Sequence, residues 1–485
     1  MSPGTGRRGV TSGLPPAHDV IDQALDKARG DCVVIVEESS EAEVRFANNT
    51  TTTNGLRRDR RVTVISFYET DSGVAAGIGR RGGNADVADL VAASERDAAG
   101  SPDAEDAAPL LEPGVKSEVG SGPGSSSVPG AEAFDHGPAE TDLSVLRDVL
   151  AGLGGAFARA EAAGRVLAGF ASHAIETVYL GTSTGIRRRH AQPTGSLHLV
   201  GRSADGSNSA WVGAGTADFS DVTIDQLEER LVGRLAWGAR RIELEAGRYE
   251  VVLPPDAVAD LMVGLVGSAS GQEAEDGRTV FSAPDGRTKL GEVLAPLPFQ
   301  LRSDPAEPGL TCSPFVVAPA SSADSSVFDN GMPLASTRWI DGGRLARLRY
   351  HRAGAARSGQ TVTPAIDNLV LELPEAAGSV EDLVAGTERG LLLTCLWYIR
   401  EVDPATLLLT GLTRDGVYLV ENGSVVGAVN NFRFNESPVD LLGRVTEAGA
   451  TVRALGREYG EWVNRTAMPP VRVPDFNMSS VSPAS

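Results

Sequence analysis

The sequence has very little cysteine: Cys32, Cys312 and Cys395 are the three among 485 residues. So few and so scattered, they build neither a disulfide framework nor a cysteine-based zinc site, and each reads as a small buried apolar residue. Long hydrophobic runs are also missing. The longest, Cys32–Val36 and Leu391–Ile399, fall well short of the ~18 apolar residues that cross a bilayer, so no membrane span is expected. Arg7 and Arg8 lead into Thr11-Ser-Gly-Leu-Pro-Pro16 and not into an apolar stretch, so no secretory signal is read and the expected location is the cytoplasm. The third scarcity is positive charge. Forty-four basic against 64 acidic side chains leave −20, which repels phosphate backbones at long range and disfavours general nucleic-acid binding.

Reactive constellations are scarce as well. None of the six histidines, His18, His136, His173, His190, His198 and His351, opens a His-Glu-x-x-His motif. His173 and Glu176, spaced i, i+3, are the one pair that could supply two metal ligands, and they define a rival reading as a self-sufficient hydrolase. His190 and His198 lie beside Arg187-Arg-Arg189 and read as solvated polar positions. Ser183 stands between Gly181 and Gly185, but this stretch joins a strand to a strand, unlike a nucleophile elbow. Gly77-Ile-Gly79 begins no dinucleotide fingerprint, and no phosphate loop is present.

What is abundant is punctuation, with 56 glycines and 28 prolines. Between these breaks the pattern is α+β. Helical spacing covers Ala17–Arg29, Ala85–Ala99, Asp142–Ala168, Asp225–Arg240 and, behind Pro254-Pro255, Ala257–Leu265. Strands are expected at Cys32–Val36, Ala42–Phe46, Arg61–Tyr68 and Gly73–Ile78, with Asn54-Gly55 as a hairpin turn. A second unit follows with strands near Thr177–Leu180, Ser196–Gly201, Ala210–Gly215 and Tyr249–Leu253. From Arg278 onward short strands dominate, including Thr337–Ile340, Arg344–His351, Leu391–Arg400, Gly416–Glu421 and Gly423–Val429, which predicts a mostly antiparallel C-terminal region. Gly100–Glu140, rich in Gly, Pro and Ser with eight acids against Lys116, offers no core and reads as a disordered insert. The expected division is a flexible leader at 1–16, an α/β domain at 17–99, the insert at 100–140, a middle α/β domain at 141–255, a β-rich domain at 256–478 and a tail at 479–485.

Two polar clusters stand out near the end. Thr410-Gly-Leu-Thr-Arg-Asp-Gly416 reads either as an internally salt-bridged turn, Arg414 to Asp415, or as part of a site. Asn430-Asn-Phe-Arg-Phe-Asn-Glu-Ser437 places Phe432 and Phe434 on one face of an extended segment and Arg433 and Asn435 on the other. As a strand edge it would suit capture of extended peptides. Thr410, Arg414, Asp415, Asn431, Arg433 and Asn435 are therefore the candidate substrate-contacting residues.

These residues also carry a resemblance. Glu41-Ala-Glu-Val-Arg-Phe-Ala-Asn-Asn-Thr50 with Asn54-Gly55, Val178–Gly185, Leu396-Trp-Tyr-Ile-Arg400, Thr410–Gly423 and Asn431–Asn435 are similar to the TldD/PmbA family, over about residues 17–478 without the insert. The last three elements resemble its PmbA branch, also called TldE. The resemblance implies an α/β N-terminal and a β-rich C-terminal region, and a heterodimer with a TldD-like catalytic subunit that degrades unfolded or leader peptides. It places zinc in that partner, on a His-Glu-x-x-x-His helix completed by a cysteine. Here the corresponding helix, Asp260–Gly267, has no His or Glu, and no cysteine follows Cys395. No catalytic residue, metal ligand or cofactor is therefore expected in this chain. A third reading, a regulatory binder of the gyrase-modulator type, is weighed down by the acidic charge.

Overall fold

The computed structural model describes residues 13–114, 133–203 and 205–483. With 39% strand against 23% helix, the chain is α+β as its patterning predicts. The N-terminal half is built on one six-stranded antiparallel sheet in the order β3-β2-β1-β4-β5-β6. Its strands are β1 (Cys32–Ala47), β2 (Thr50–Glu69), β3 (Val74–Gly82), β4 (Arg165–Thr182), β5 (Arg187–Ser203) and β6 (Ser209–Thr216). Helices α1 (Ala17–Lys27) and α2 (Val87–Gly100) cover one end of one face, and α3 (Arg147–Ala162) and α4 (Ile224–Trp237) cover the other end. The opposite face packs Val33, Ile35, Ile65 and Leu180 against Phe315, Val327, Phe328 and Met332 of the C-terminal half.

This sheet corrects the expected division at 99 and 141. β1 pairs with β4 from Val33↔Thr182 to Phe46↔Gly169, so the two N-terminal units are halves of one sheet. The strands are also longer than the apolar runs suggest, because polar residues such as Glu37, Glu41 and Arg57 lie on the face away from the helices. The hairpin turn is not Asn54-Gly55, which sits inside β2 opposite Val44 and Glu43. It is Asn48-Asn49, where both residues adopt φ near +50–60°, the left-handed pair that matches strand twist and that asparagine tolerates. The helix expected to 168 stops at Ala162, since Gly164 at φ +62° turns the chain into β4.

The expected insert is too wide. Leu111 is buried, the Thr184 hydroxyl donates to its carbonyl, and Arg352 and Arg357 donate to the carbonyls of Pro109 and Glu105. On the far side the Tyr179 hydroxyl donates to His136 O at 2.7 Å and Ala139 N to Thr177 Oγ1 at 3.1 Å. Composition missed these flanks because they are fastened by their carbonyls, which any residue supplies. Residues 115–132 lie outside those described, as do 1–12 of the expected leader. Pro15, at the leader's end, accepts from Arg60 at 2.7 Å.

The C-terminal half holds a ten-stranded and a second six-stranded sheet around the largest core cluster. β7 (Arg241–Ile242) and β8 (Gly247–Leu253) belong to the larger sheet, so this unit begins before Pro254 and not at 256. The larger sheet runs Trp397–Asp403, Leu408–Leu412, Phe432–Glu436, Val471–Val481, β8, Arg389–Leu393, Val417–Glu421, Ser424–Val429, β7, and its tenth strand, Glu447–Ala448, pairs with Val471–Val481. The expected strand Leu391–Arg400 is thus two, interrupted at Thr394–Leu396. Arg344–His351 contributes only Arg344–Leu345, and part of the expected tail, Ser479–Val481, is strand. Helix α5 (Pro255–Gly267) starts on Pro255 at its first position and buries Ala257, Val258, Ala259, Leu261, Met262 and Leu265 under this sheet.

Candidate functional site

The polar centre of the C-terminal half is built on α5 and on the loop that follows strand Val452–Ala454. Asp256 and Asp260 stand one helical turn apart on α5 and face this loop. Asp256 accepts Leu455 N at 3.0 Å. Asp260 takes three more amides, those of Arg457 (2.9 Å), Glu458 (3.1 Å) and Tyr459 (2.9 Å). A Cβ on Gly456 would lie 2.3 Å from Asp260 Oδ1, so only glycine lets the loop close over the carboxylate. Burial pushes the Asp260 carboxyl up to about 7 against the opposing pull of the amides of Tyr459, Glu458 and Arg457.

Fixed in this way, the loop presents Arg457 inward. Its guanidinium lies 4.2 Å from the centre of the Trp397 ring and 5.6 Å from that of Trp211 on β6, between the two halves of the molecule. Its Nη1 donates to Asp415 Oδ2 at 2.8 Å and to Cys395 Sγ at 3.1 Å. Ser209 of β6 donates to the other Asp415 oxygen. Burial raises the Asp415 carboxyl, but Arg457 and the Ser209 and Arg457 hydrogen bonds outweigh it and hold it below its usual range. Beyond Trp211 the ring of His198 stacks on Phe170 at 4.6 Å, and burial, reinforced by Arg457, pushes it down to about 4. Burial pushes the Cys395 thiol up to about 11.

At neutral pH this arrangement therefore offers a neutral imidazole, a protonated thiol and a saturated ion pair. None of these three is an activated nucleophile or a poised base, and Asp260, though raised to about 7, has both oxygens taken by the amides of Arg457, Glu458 and Tyr459. What the arrangement does is clasp the halves together, assisted by Arg453 to Asp221 at 2.9 Å and Arg465 to Thr194 at 2.5 Å. The outer side of the same loop carries Tyr459 and Trp462, the latter 71% exposed. The Arg400–Glu458 ion pair at 2.8 Å joins the loop to strand Trp397–Asp403, which ends the sheet and exposes Tyr398 and Val402.

The residues singled out from sequence fall into two places. Asp415 is part of the clasp, but its partner is Arg457, whereas Arg414 approaches it only to 3.9 Å. Thr410 and Arg433 meet at 3.3 Å on neighbouring strands, Asn435 Oδ1 accepts from Ser479, and Asn431 O accepts from Ser482 N. The strand edge expected at Thr410–Gly416 and Asn430–Asn435 is absent. Leu408–Leu412 is paired on both sides, and so is Phe432–Glu436, between Leu408–Leu412 and Val471–Val481. Among the described residues, the edge on this side of the sheet is Trp397–Asp403. Sequence reasoning missed Arg457, Asp260, Trp211 and Ser209, because they lie far from their partners along the chain, Ser209 206 residues from Asp415, and no local pattern marks them.

The rival metal pair does not assemble. His173 and Glu176 lie on β4 at odd spacing and so face opposite sides of the sheet. Both His173 nitrogens are engaged, Nδ1 with Thr141 Oγ1 at 2.7 Å and Nε2 with Ala217 O at 2.8 Å.

Residues 246–480 match the family model for the PmbA/TldA metallopeptidase C-terminal domain. No curated protein matches the chain. Among solved structures, TldE from Thermococcus kodakarensis is similar at 16% identity and a TM-score of 0.73, covering 95% of this chain and 99% of its own. A protein provisionally assigned as a modulator of a DNA gyrase, from Thermotoga maritima, gives 15%, 0.71, 95% and 99%. Another so assigned, from Bacteroides thetaiotaomicron, gives 15%, 0.68, 96% and 98%. At these identities the likeness establishes the fold over nearly the whole chain, and the family model covers the region that contains α5, Asp415 and Arg457. The C-terminal domain of this chain thus belongs to the TldD/PmbA family.

Proposed function

We propose that this chain is the non-catalytic, TldE-like member of a two-subunit metallopeptidase in the cytoplasm, acting with a TldD-like catalytic subunit on unfolded or leader peptides. The carrying observation is how α5 is used. Its two acids are bound to loop amides, its apolar side chains are in the core, and it presents no imidazole. Zinc takes neutral imidazole, thiolate or carboxylate. Asp260 is enclosed by amides and Cys395 is held as a thiol by burial, so this donor set does not suit the metal, and in this reading zinc belongs to the partner subunit. The chain's part is to wall the substrate space and to offer the exposed aromatic loop and the free edge of Trp397–Asp403.

The test is reconstitution. The chain alone carries no stoichiometric zinc by elemental analysis and cleaves no peptide. Mixed with a TldD-type subunit it supports cleavage of unstructured peptides and spares folded proteins, whose strand edges are mostly blunted or covered. Zinc-dependent cleavage by the isolated chain would overturn the reading.

A further inference from the structure

β2 is paired along its length with β1, but β3 covers its other side only from Arg61 to Glu69. From Thr50 to Asp59 the outer backbone groups of β2 have no neighbouring strand among the described residues. An edge of this length is usually blunted by proline or an inward charge. Here the stretch is Thr50-Thr-Thr-Thr-Asn-Gly-Leu-Arg-Arg-Asp59 with no proline, and Leu56 is 44% exposed.

Where β3 stops, a cleft of about 450 Å³ opens beside this edge, its lining carrying Arg57, Arg58 and Arg60 of β2 together with Glu38, Asp59 and Glu140. Arg58 and Arg60 alternate along the strand and so share its face. Arg60, 8% exposed, pairs with Glu38 at 2.5 Å, and Arg58 pairs with Glu140 at 2.7 Å. The Nε of each guanidinium is nevertheless buried without an acceptor. A buried donor left unpaired is costly, so an acceptor that reached these two, which share one face at the cleft, would be favoured.

We propose that the outer edge of β2 captures an extended polypeptide segment as an additional strand, and that the cleft receives one carboxylate side chain of that segment on the Nε–H groups of Arg58 and Arg60. Backbone pairing supplies affinity, and the charge-assisted bonds select the acid. A singly charged carboxylate suits the cleft better than a phosphate, because Glu38 and Glu140 already balance both arginines. The inference concerns the N-terminal sheet and does not rest on the peptidase reading.

The probe is a fluorescein-labelled peptide of alternating threonine and valine with one central glutamate, titrated with the full chain and read by anisotropy. Binding is expected to saturate, and glutamine in place of the glutamate to weaken it about tenfold. N-methylation of every second peptide amide abolishes binding in one frame and leaves it in the other, because an added strand turns only alternate amides to its neighbour. With Arg58→Gln in the chain, the glutamate and glutamine peptides bind within about twofold of each other, while circular dichroism and melting report whether the variant is folded. The peptide changes keep the test valid if that variant fails to fold. No saturable binding at millimolar chain, equal effects of the two methylation frames, or an unchanged glutamate preference in folded Arg58→Gln would each overturn the proposal.

Discussion

The Asp415 carboxylate and the Arg457 guanidinium meet at 2.8 Å with 5% and 10% of their side chains exposed. Asp415 reaches this partner from a left-handed turn position, φ +65°, which directs its oxygens to Arg457 and Ser209 and away from Arg414. A buried ion pair adds little net stability, but deleting one member leaves the other charged and uncompensated.

Arg457→Ala should therefore destabilise the chain by about 3–5 kcal/mol in urea unfolding. Arg414→Ala, which removes a distant and partly exposed partner, should cost no more than about 1 kcal/mol. Equal losses would mean that the turn, and not the clasp, carries the stability. The pH dependence has a sign. Because the folded Asp415 carboxyl lies below its usual 3.8, its contribution is present above that pH and is lost as the pH falls through and below it. Asp415→Asn removes that part of the acid-side loss.

Asp260 gives the opposite slope. Its folded carboxyl is raised from 3.8 to about 7, so the folded state holds a proton that the unfolded chain has released between those values. Its contribution is complete below about pH 3.8, declines as the pH rises to about 7 and is flat above. Asp260→Asn should destabilise at pH 5 by on the order of 1–3 kcal/mol, since the amide cannot accept every loop N–H. The deficit should shrink as the pH is raised to 7. Urea midpoints of both chains at half-unit steps measure this, and a deficit constant across the range would remove Asp260 as the titrating group.

The sequence makes the element types legible wherever one face is buried, as in α1, α4, α5 and Phe432–Glu436, because burial imposes a period that composition records. Strand lengths are less legible, since half of β1 and β2 carries charge on the face turned from the helices. The candidate site divides in the same way. Asp415 is visible as a polar residue in a Gly-flanked turn. Arg457 is one arginine among many, and its meaning comes from Trp211, Trp397 and Cys395, which only the fold brings together. The edge assigned to Phe432–Glu436 failed because alternation describes faces and is silent about neighbours in the plane of the sheet.

Gly77 and Gly79 illustrate a motif with a packing cause. A Cβ at Gly77 would sit 2.0 Å from Ala98 N, and one at Gly79 would sit 2.6 Å from Leu90 O. α2 thus lies on bare backbone of β3, and this close approach gives both glycines a packing role. Gly77→Val should displace α2 and cost at least about 3 kcal/mol, comparable to severe overpacking. A loss under 1 kcal/mol would show that α2 shifts freely.

Trp462 separates structure from function most cleanly. It is 71% exposed and touches Tyr459 with ring centres 5.7 Å apart, so removing its side chain uncovers little core. Trp462→Ala should change the melting temperature by no more than about 2 °C, as expected for a surface substitution. The loop that carries it is nonetheless held rigidly, through Asp260 on one side and Arg400–Glu458 on the other. A large aromatic ring displayed on a fixed loop beside a free strand edge has the character of an interface anchor, for which truncation costs 2 kcal/mol or more. If the loop faces the catalytic subunit or the captured peptide, Trp462→Ala should lower association or peptide turnover in the reconstituted pair at least about tenfold. Asp260→Asn, by loosening the same loop, should lower both stability and turnover. Turnover and association unchanged by Trp462→Ala would move the functional surface away from this loop and leave Arg457 a purely structural clasp.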